Sequence, residues 1–207
     1  FDRPLEAKYT LFWPIPNYTF TKGSNPEDFV QPTESGKIKS ALFGCVRNDG
    51  EQFHEGLDLA PMRRDRKGEP TDPILAVMDG RVVYLNRTEA NSNYGLYLVL
   101  EHPYVKPAVY TLYAHLRTIK PGIRLGDKVN AGDKIGIMGR TAGGYTIPAE
   151  RAHLHFEMGL RLSDAFDNWY KSNKYSNPNF HGNYNEYIQG IPSNGLWLFR
   201  AAAAKIF

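Results

Sequence analysis

The amino-acid sequence predicts a mainly antiparallel β fold, with short helices confined to the C-terminal end. Aromatic residues make up 13% of the chain and 14 residues are proline, which favours strands and loops over long helices. Two echoing turns, Gly126–Val129 and Gly132–Ile135, indicate closely spaced short strands. Short stretches rich in β-branched and aromatic residues, bounded by turn-forming residues, are typical of strands. In chain order these are Ile74–Met78, Arg81–Leu85, Tyr94–Glu101, Val109–Leu116 and Arg151–Met158.

Length and charge limit the function classes. With 207 residues the chain is long enough for one well-buried domain with decorated ends. Its net charge of +3 permits attraction to an acidic polymer such as a cell wall, but a charge this small does not indicate nucleic-acid binding. No apolar run approaches the ~18–20 residues of a membrane span. Cys45 is the single cysteine, so an intramolecular disulfide is excluded.

Three regions differ in composition. Residues 1–40 are rich in proline and aromatic residues and lack a helical period, which predicts an extended arm that packs on the core. Residues 41–160 carry the predicted strands. Residues 161–207 form an accessory extension, with a short helix over Asp164–Tyr170 and a terminal helix over Arg200–Phe207.

The stretch Arg151–Met158 is the strongest candidate for a functional site. Polar and apolar residues alternate strictly along it, which predicts a half-buried strand. Residues two apart on a strand share a face, so His153, His155 and Glu157 point one way, while Leu154 and its apolar neighbours face the core. Paired imidazoles favour a metal or catalytic site. A satisfied core histidine is the alternative.

Two further stretches display polar side chains from predicted strands. His54 and Asp58 share a face if their stretch is extended, and they also align on a helix, so spacing alone does not choose. Gly56 and the lack of a sustained helical period favour a strand. In the stretch Val109–Leu116, a third histidine, His115, shares a predicted face with Tyr113. Two other histidines, at positions 102 and 181, have no evident partner, and the basic loop 62–73 is interpreted as solvated.

In this order, the stretches resemble the M23 family of zinc metallopeptidases, the lysostaphin-like and LytM-like cell-wall endopeptidases. The resemblance covers about residues 41–160 and is specific as an ordered set. The matching motifs are His54-Glu-Gly-Leu-Asp58, Asn93-Tyr-Gly95, Tyr113-Ala-His-Leu116, Gly126-Asp-Lys-Val-Asn-Ala-Gly-Asp-Lys-Ile-Gly136 and His153-Leu-His-Phe-Glu157. The approach to His153 is longer than the family pattern and lacks its final proline, and loop 62–73 is longer than usual.

The resemblance implies an antiparallel β fold of the duplicated barrel-sandwich hybrid type, with a groove over a Zn²⁺ ion. It identifies His54, Asp58 and His155 as zinc ligands. It matches His115 and His153 to two further active-site histidines. We also expect Asn93, Tyr94 and Tyr113 to line the groove and contact substrate, with a groove-lining role and a catalytic hydrogen bond both open for Tyr113.

The implied function is zinc-dependent hydrolysis of peptide bonds in bacterial peptidoglycan. Three protein ligands with one open position are the layout of a catalytic zinc site. No glutamate stands in the usual zincin position, so His115 and His153 are the available proton-transfer groups. We expect a monomer with a peptidoglycan peptide substrate and no nucleic-acid partner. Because the chain opens with Phe1, we expect a periplasmic, envelope or secreted protein whose signal peptide has been removed.

Three other hypotheses remain at this point. A non-catalytic envelope module of the same fold would bind or regulate another wall hydrolase, since fold alone does not fix function. A biotinyl- or lipoyl-carrier module would explain the double turn but not the histidines. Finally, either end of the chain would make an enzyme latent if Asn17, Asn25 or the stretch Asn177–Asn185 placed an oxygen on the zinc. Simple packing of both ends is the competing explanation.

Overall fold

The computed structural model describes residues 11–17, 25–47, 52–103, 109–161, 164–173, 179, 181–184 and 190–193. It contains eleven strands and one α-helix, α1 (Phe166–Ser172), in the C-terminal extension. The strands are β1 (Val46–Arg47), β2 (Gln52–Phe53), β3 (Leu57–Leu59), β4 (Pro73–Leu75), β5 (Gly80–Asn86), β6 (Leu96–His102), β7 (Val109–Ile119), β8 (Lys128–Val129), β9 (Lys134–Met138), β10 (Leu154–Arg161) and β11 (Gly190–Ser193).

Nine of the strands form one antiparallel sheet, which confirms the predicted fold class. The main path runs β11-β10-β7-β6-β5-β8, while β3 pairs with β10, and β9 pairs with both β4 and β7. The remaining strands, β1 and β2, form a separate two-stranded sheet. Strand β10 therefore lies between β3 and β7. This neighbourhood brings the histidine-bearing segments together.

The alternation predicted along β10 is present, although the strand is buried on both sides. Leu154, Phe156 and Met158 belong to the larger apolar core. His155 and Glu157 are buried as well. The side chains of Tyr94 and Tyr110 donate hydrogen bonds to Glu157 and so cover this second face. The strand was expected to be half exposed, because a polar face normally meets water.

The N-terminal arm is anchored in the core. Trp13 and Phe29 are buried and meet edge to face, with ring centroids 5.9 Å apart. Val30 forms an isolated bridge with Leu59, and the backbone N–H of Gln31 donates to the carbonyl oxygen of Asp58. The arm thus continues the pairing along β3.

The C-terminal extension also contacts the sheet. His181 is buried between Tyr84 on β5 and the backbone of Asn91, with one ring nitrogen 2.6 Å from the tyrosine oxygen and the other 2.7 Å from the carbonyl oxygen. The predicted short helix is present as α1. The predicted terminal helix over residues 200–207 lies outside the described residues. Among the described helices, none is long and apolar enough to cross a membrane.

Candidate metal centre

Three side chains from separate segments meet at the floor of a groove. Asp58 is the middle residue of β3, and it is paired directly with His155 on β10. His54 follows β2, and its backbone N–H and carbonyl bond to Cys45 and Gly44. All three side chains are buried. They form a group close enough to hold a metal ion.

The ligand atoms form a nearly equilateral triangle. Asp58 Oδ1 lies 3.0 Å from His54 Nε2 and 3.0 Å from His155 Nδ1, and the two nitrogens are 3.2 Å apart. A tetrahedral zinc ion with bonds of about 2.1 Å separates its ligand atoms by about 3.4 Å. The triangle therefore matches one face of a zinc tetrahedron to within a few tenths of an ångström.

The outer hydrogen bonds of the two rings determine which nitrogens carry lone pairs. His54 Nδ1 lies 3.0 Å from the carbonyl oxygen of Leu42, an acceptor, so Nδ1 is the protonated nitrogen. His155 Nε2 lies 3.1 Å from Glu157 Oε1, again an acceptor. In neutral rings, the two inward nitrogens then hold lone pairs that face a carboxylate oxygen. Three acceptors pointing at one position require a cation there, so the donor set fits a zinc ion.

Contacts among the buried groups determine the ionisation of the site. Burial lowers the pKa of His155, but hydrogen bonds to Asp58 and Glu157 outweigh it and raise that pKa to about 10. Burial raises the pKa of Asp58, yet the imidazoles of His153 and His54 hold it well below its usual range.

Arg47 holds the outer oxygen of the carboxylate ligand. Its Nη2 lies 3.2 Å from Asp58 Oδ2, while Oδ1 faces the two histidines. The guanidinium is itself fixed, because Nε donates to the carbonyl oxygen of Ser40 at 2.8 Å. Asp58 is thereby oriented to offer a single oxygen to an ion.

Gly56 is required by the close approach of its loop to β10. A Cβ at this position would lie 2.6 Å from the carbonyl oxygen of Phe156 and 2.9 Å from the ring of His155. Both contacts are shorter than real Cβ contacts. The glycine that the sequence places between His54 and Asp58 thus lets these two residues approach the strand that carries His155.

The two remaining histidines of the predicted site lie beside this triangle. The rings of His115 and His153 are 4.8 Å apart, and His153 Nε2 is 3.6 Å from Asp58 Oδ1. Among the described residues, His115 is the one non-glycine residue with a positive φ, at 59°. Such strain clusters at functional sites. It also breaks the alternation along β7, which re-aims this side chain.

Both of these rings are tethered in the same way. His115 Nδ1 lies 2.8 Å from the carbonyl oxygen of Thr141, and His153 Nδ1 lies 2.7 Å from that of Arg151. Each Nδ1 therefore donates, and each Nε2 carries the lone pair of the neutral ring. Burial lowers the pKa of His153 and holds that of His115 well below its usual value. Both rings are neutral near pH 7 and able to accept a proton.

A groove of about 980 Å³ opens above these residues. One side of it is the groove wall, the segment of residues 31–47, which contributes Lys37, Lys39 and Arg47 to the lining. The lining also includes Asn93 and Tyr94. Of the basic residues in the groove wall, Lys37 and Lys39 are exposed.

Tyr113 does not lie in the groove. It is fully buried in the larger apolar core, where its hydroxyl accepts hydrogen bonds from the backbone N–H of Val77 and the hydroxyl of Thr111. The expected shared face with His115 is absent, because the positive φ of His115 turns the chain between them. Tyr113 therefore belongs to the apolar core and not to the groove lining.

Several polar residues that the sequence analysis singled out have structural partners. His102 is buried, with its ring nitrogens 2.9 Å from the Asp79 carbonyl and from Thr111 Oγ1. Asn17 is buried and its amide donates to the carbonyl of Asp28. Neither Asn17 nor Asn25 lines the groove. In the stretch 177–185, residues 177, 178, 180 and 185 lie outside the described residues.

Sequence reasoning missed the groups that orient the ligands. Arg47 and the Leu42 carbonyl precede the recognised motifs and leave no local signal. Glu157 was placed correctly on the face of His155, but its contact with Tyr94 joins residues 63 positions apart.

The sequence model of Peptidase family M23 matches residues 52–168, more than half of the chain. The protein therefore belongs to this family of metallopeptidases. An uncharacterized metalloprotease of Buchnera aphidicola subsp. Baizongia pistaciae (strain Bp) is 35% identical over 108 residues, which cover 52% of this chain and 23% of that protein. The chain thus spans about a quarter of the length of this curated relative.

Two solved structures are similar to part of the chain. A zinc-containing peptidase from Vibrio cholerae is 29% identical with a TM-score of 0.44, covering 64% of this chain and 34% of that one. The catalytic domain of the antimicrobial peptidase lysostaphin from Staphylococcus simulans is 24% identical with a TM-score of 0.43, covering 59% of this chain and 77% of that one.

Proposed function

We propose that the protein is a zinc-dependent endopeptidase that hydrolyses peptide cross-links or stem peptides of bacterial cell-wall peptidoglycan. The observation that carries this proposal is the convergence of three ligand lone pairs at the floor of an open groove, beside two neutral imidazoles. A structural zinc site closes all four positions with protein ligands. Three ligands under an open groove suit a catalytic ion.

In this proposal His54, Asp58 and His155 hold the zinc. When bound, the ion acts as a Lewis acid that polarises a peptide carbonyl and increases the acidity of water. The chain's own contribution is proton transfer and charge stabilisation. His115 and His153 accept a proton at Nε2, because Nδ1 of each ring is committed to a backbone carbonyl. The resulting imidazolium then donates to the leaving amine or stabilises the developing oxyanion.

The groove supports an extended peptide as substrate. It runs between the groove wall and the side that carries Asn93, with the metal triangle at its floor. Its lining carries basic side chains at positions 37, 39 and 151 and acidic ones at positions 34 and 55, which complement the carboxylates and amino groups of a wall peptide. We propose that Asn93 contacts the substrate backbone. We further propose that the protein acts as a monomer outside the cytoplasm, in the periplasm, in the envelope or as a secreted protein, where peptidoglycan is located.

A non-catalytic envelope module is the second candidate. Its specific support is that family membership alone does not require turnover. Against it stands the positive φ of His115, because backbone conformations of this kind cluster at active sites.

The test is incubation of the full chain with purified peptidoglycan sacculi, with and without a zinc chelator, followed by mass analysis of the released products. We expect chelator-sensitive release of peptide-cleaved fragments, and their masses identify the bond. Binding to sacculi without product, in a zinc-loaded protein, would support the non-catalytic module and contradict the proposed peptidase.

A further inference from the structure

Glu157 is a buried carboxylate that takes no part in the proposed proton transfer. Its side chain is 1% exposed, and an ionised carboxylate in such a place is costly unless donors surround it. Three donors do so. The hydroxyl of Tyr94 lies 2.6 Å and His155 Nε2 lies 3.1 Å from Oε1, while the hydroxyl of Tyr110 lies 3.3 Å from Oε2.

The two tyrosines act only as donors in this cluster. Burial, followed by the charge of Glu157, raises the pKa of Tyr94 well above its ordinary value, and the same causes raise that of Tyr110. Both phenols therefore stay protonated and point their hydrogens at the carboxylate. The hydroxyl of Tyr94 is thus engaged behind the site, although its ring lines the groove.

We infer that Glu157 is a positioning residue for the metal centre: held by Tyr94 and Tyr110, its carboxylate accepts the Nε2–H of His155 and commits Nδ1 of that ring to the ion. This inference rests on the proposed zinc site. Without Glu157, the ring loses its hydrogen-bond acceptor at Nε2. The tautomer that is protonated at Nε2, and that leaves the lone pair of Nδ1 for the ion, is then no longer favoured. Tyr94 reinforces the orientation, since its ring packs against that of His155 with centroids 4.9 Å apart.

The arrangement differs from that of the other ligand ring. His54 is oriented by a neutral backbone carbonyl, whereas His155 is oriented by a charge. A carboxylate behind a metal-bound imidazole raises the basicity of the ligand and strengthens its bond to the ion. Removal of such a partner typically costs 10–100-fold in metal affinity.

The experiment measures zinc affinity by competition with a chromophoric chelator, using the wild-type chain, Glu157→Gln and Tyr94→Phe. We expect zinc to bind about 10–100-fold more weakly to Glu157→Gln, and about 2–10-fold more weakly to Tyr94→Phe, which loses one hydrogen bond. The visible spectrum of the Co²⁺-substituted proteins should shift in Glu157→Gln, because the ligand field of His155 changes. A purely structural role would leave that spectrum unchanged.

Glu101→Gln is the matched control. It makes the same substitution on β6, which β7 separates from β10, and there the carboxylate accepts from Arg161 and does not touch the metal site. We expect its zinc affinity to equal that of the wild type. If Glu157→Gln does not fold, the double variant Tyr94→Phe/Tyr110→Phe carries the test, with an expected weakening of zinc binding.

The experiment distinguishes failure of the positioning role from failure of the proposed function. Equal zinc affinity and equal cobalt spectra in the wild type and Glu157→Gln would overturn the positioning role and leave the proposed zinc site intact. A wild-type chain that binds no zinc would overturn the proposed function itself, and the inference with it.

Discussion

The two histidine ligands of the proposed metal centre are held by different parts of the chain. His155 lies on the central strand β10, paired in register with Asp58 and backed by Glu157 beneath two tyrosines. His54 lies in the turn after β2 and is oriented by the carbonyl of Leu42 in the groove wall. One ligand is fixed by the sheet and the other by a segment that reaches across to it.

Because of this difference, the region that matches the family model does not contain every residue that orients the proposed ligands. The family match begins at residue 52, after the groove wall ends. The match therefore contains the ligands but omits Leu42 and Arg47, which orient two of them. In the proposed centre, two of the three ligands are therefore oriented by residues that precede the matched region.

The largest expected effect on turnover concerns the histidines beside the triangle. His115→Ala and His153→Ala should retain zinc but lose about 10²–10⁴-fold in turnover, because general acid–base groups contribute that much. Metal analysis and peptide-release rates on the same preparations measure both quantities. His102→Ala is the control, since this buried histidine bonds only to structural partners. Wild-type rates in zinc-loaded variants would remove the two histidines from the mechanism.

The arm that precedes the groove wall should be essential for stability. Trp13→Ala should lower the free energy of unfolding by about 3–5 kcal/mol, because it removes a fully buried aromatic side chain packed on Phe29. Denaturant titration measures this change. At temperatures where the variant stays folded, turnover should match the wild type. Increased turnover would instead indicate that the arm obstructs the groove, which is the latency hypothesis.

Substitution of Arg47 tests whether the groove wall contributes to the metal centre. Arg47→Met should weaken zinc binding by about 10–100-fold, because Asp58 Oδ2 loses the guanidinium that directs Oδ1 toward the ion. Arg81→Met is a matched control, since this arginine donates to the Gly126 carbonyl away from the groove. Undiminished zinc affinity in Arg47→Met would show that Asp58 is oriented without the groove wall.

Local periodicity predicted the parts of this structure that depend on strand geometry. Alternation along β10 gave the correct faces for Leu154 and His155, because residues two apart on a regular strand point the same way. It failed for Tyr113, since the positive φ of His115 interrupts the same rule on β7. The contact between Glu157 and Tyr94 arises only when separate strands pair, so no local pattern reveals it.

The most direct test of the central claim is the zinc content of the purified chain and of His54→Ala, Asp58→Ala and His155→Ala, measured by elemental mass spectrometry. If three lone pairs converge on a single ion, the wild type should carry about one zinc ion per chain and each variant essentially none. Circular dichroism verifies that the variants remain folded. Full zinc occupancy in all three variants would show that the ion, if present, lies elsewhere, and would contradict the metal centre described for this protein.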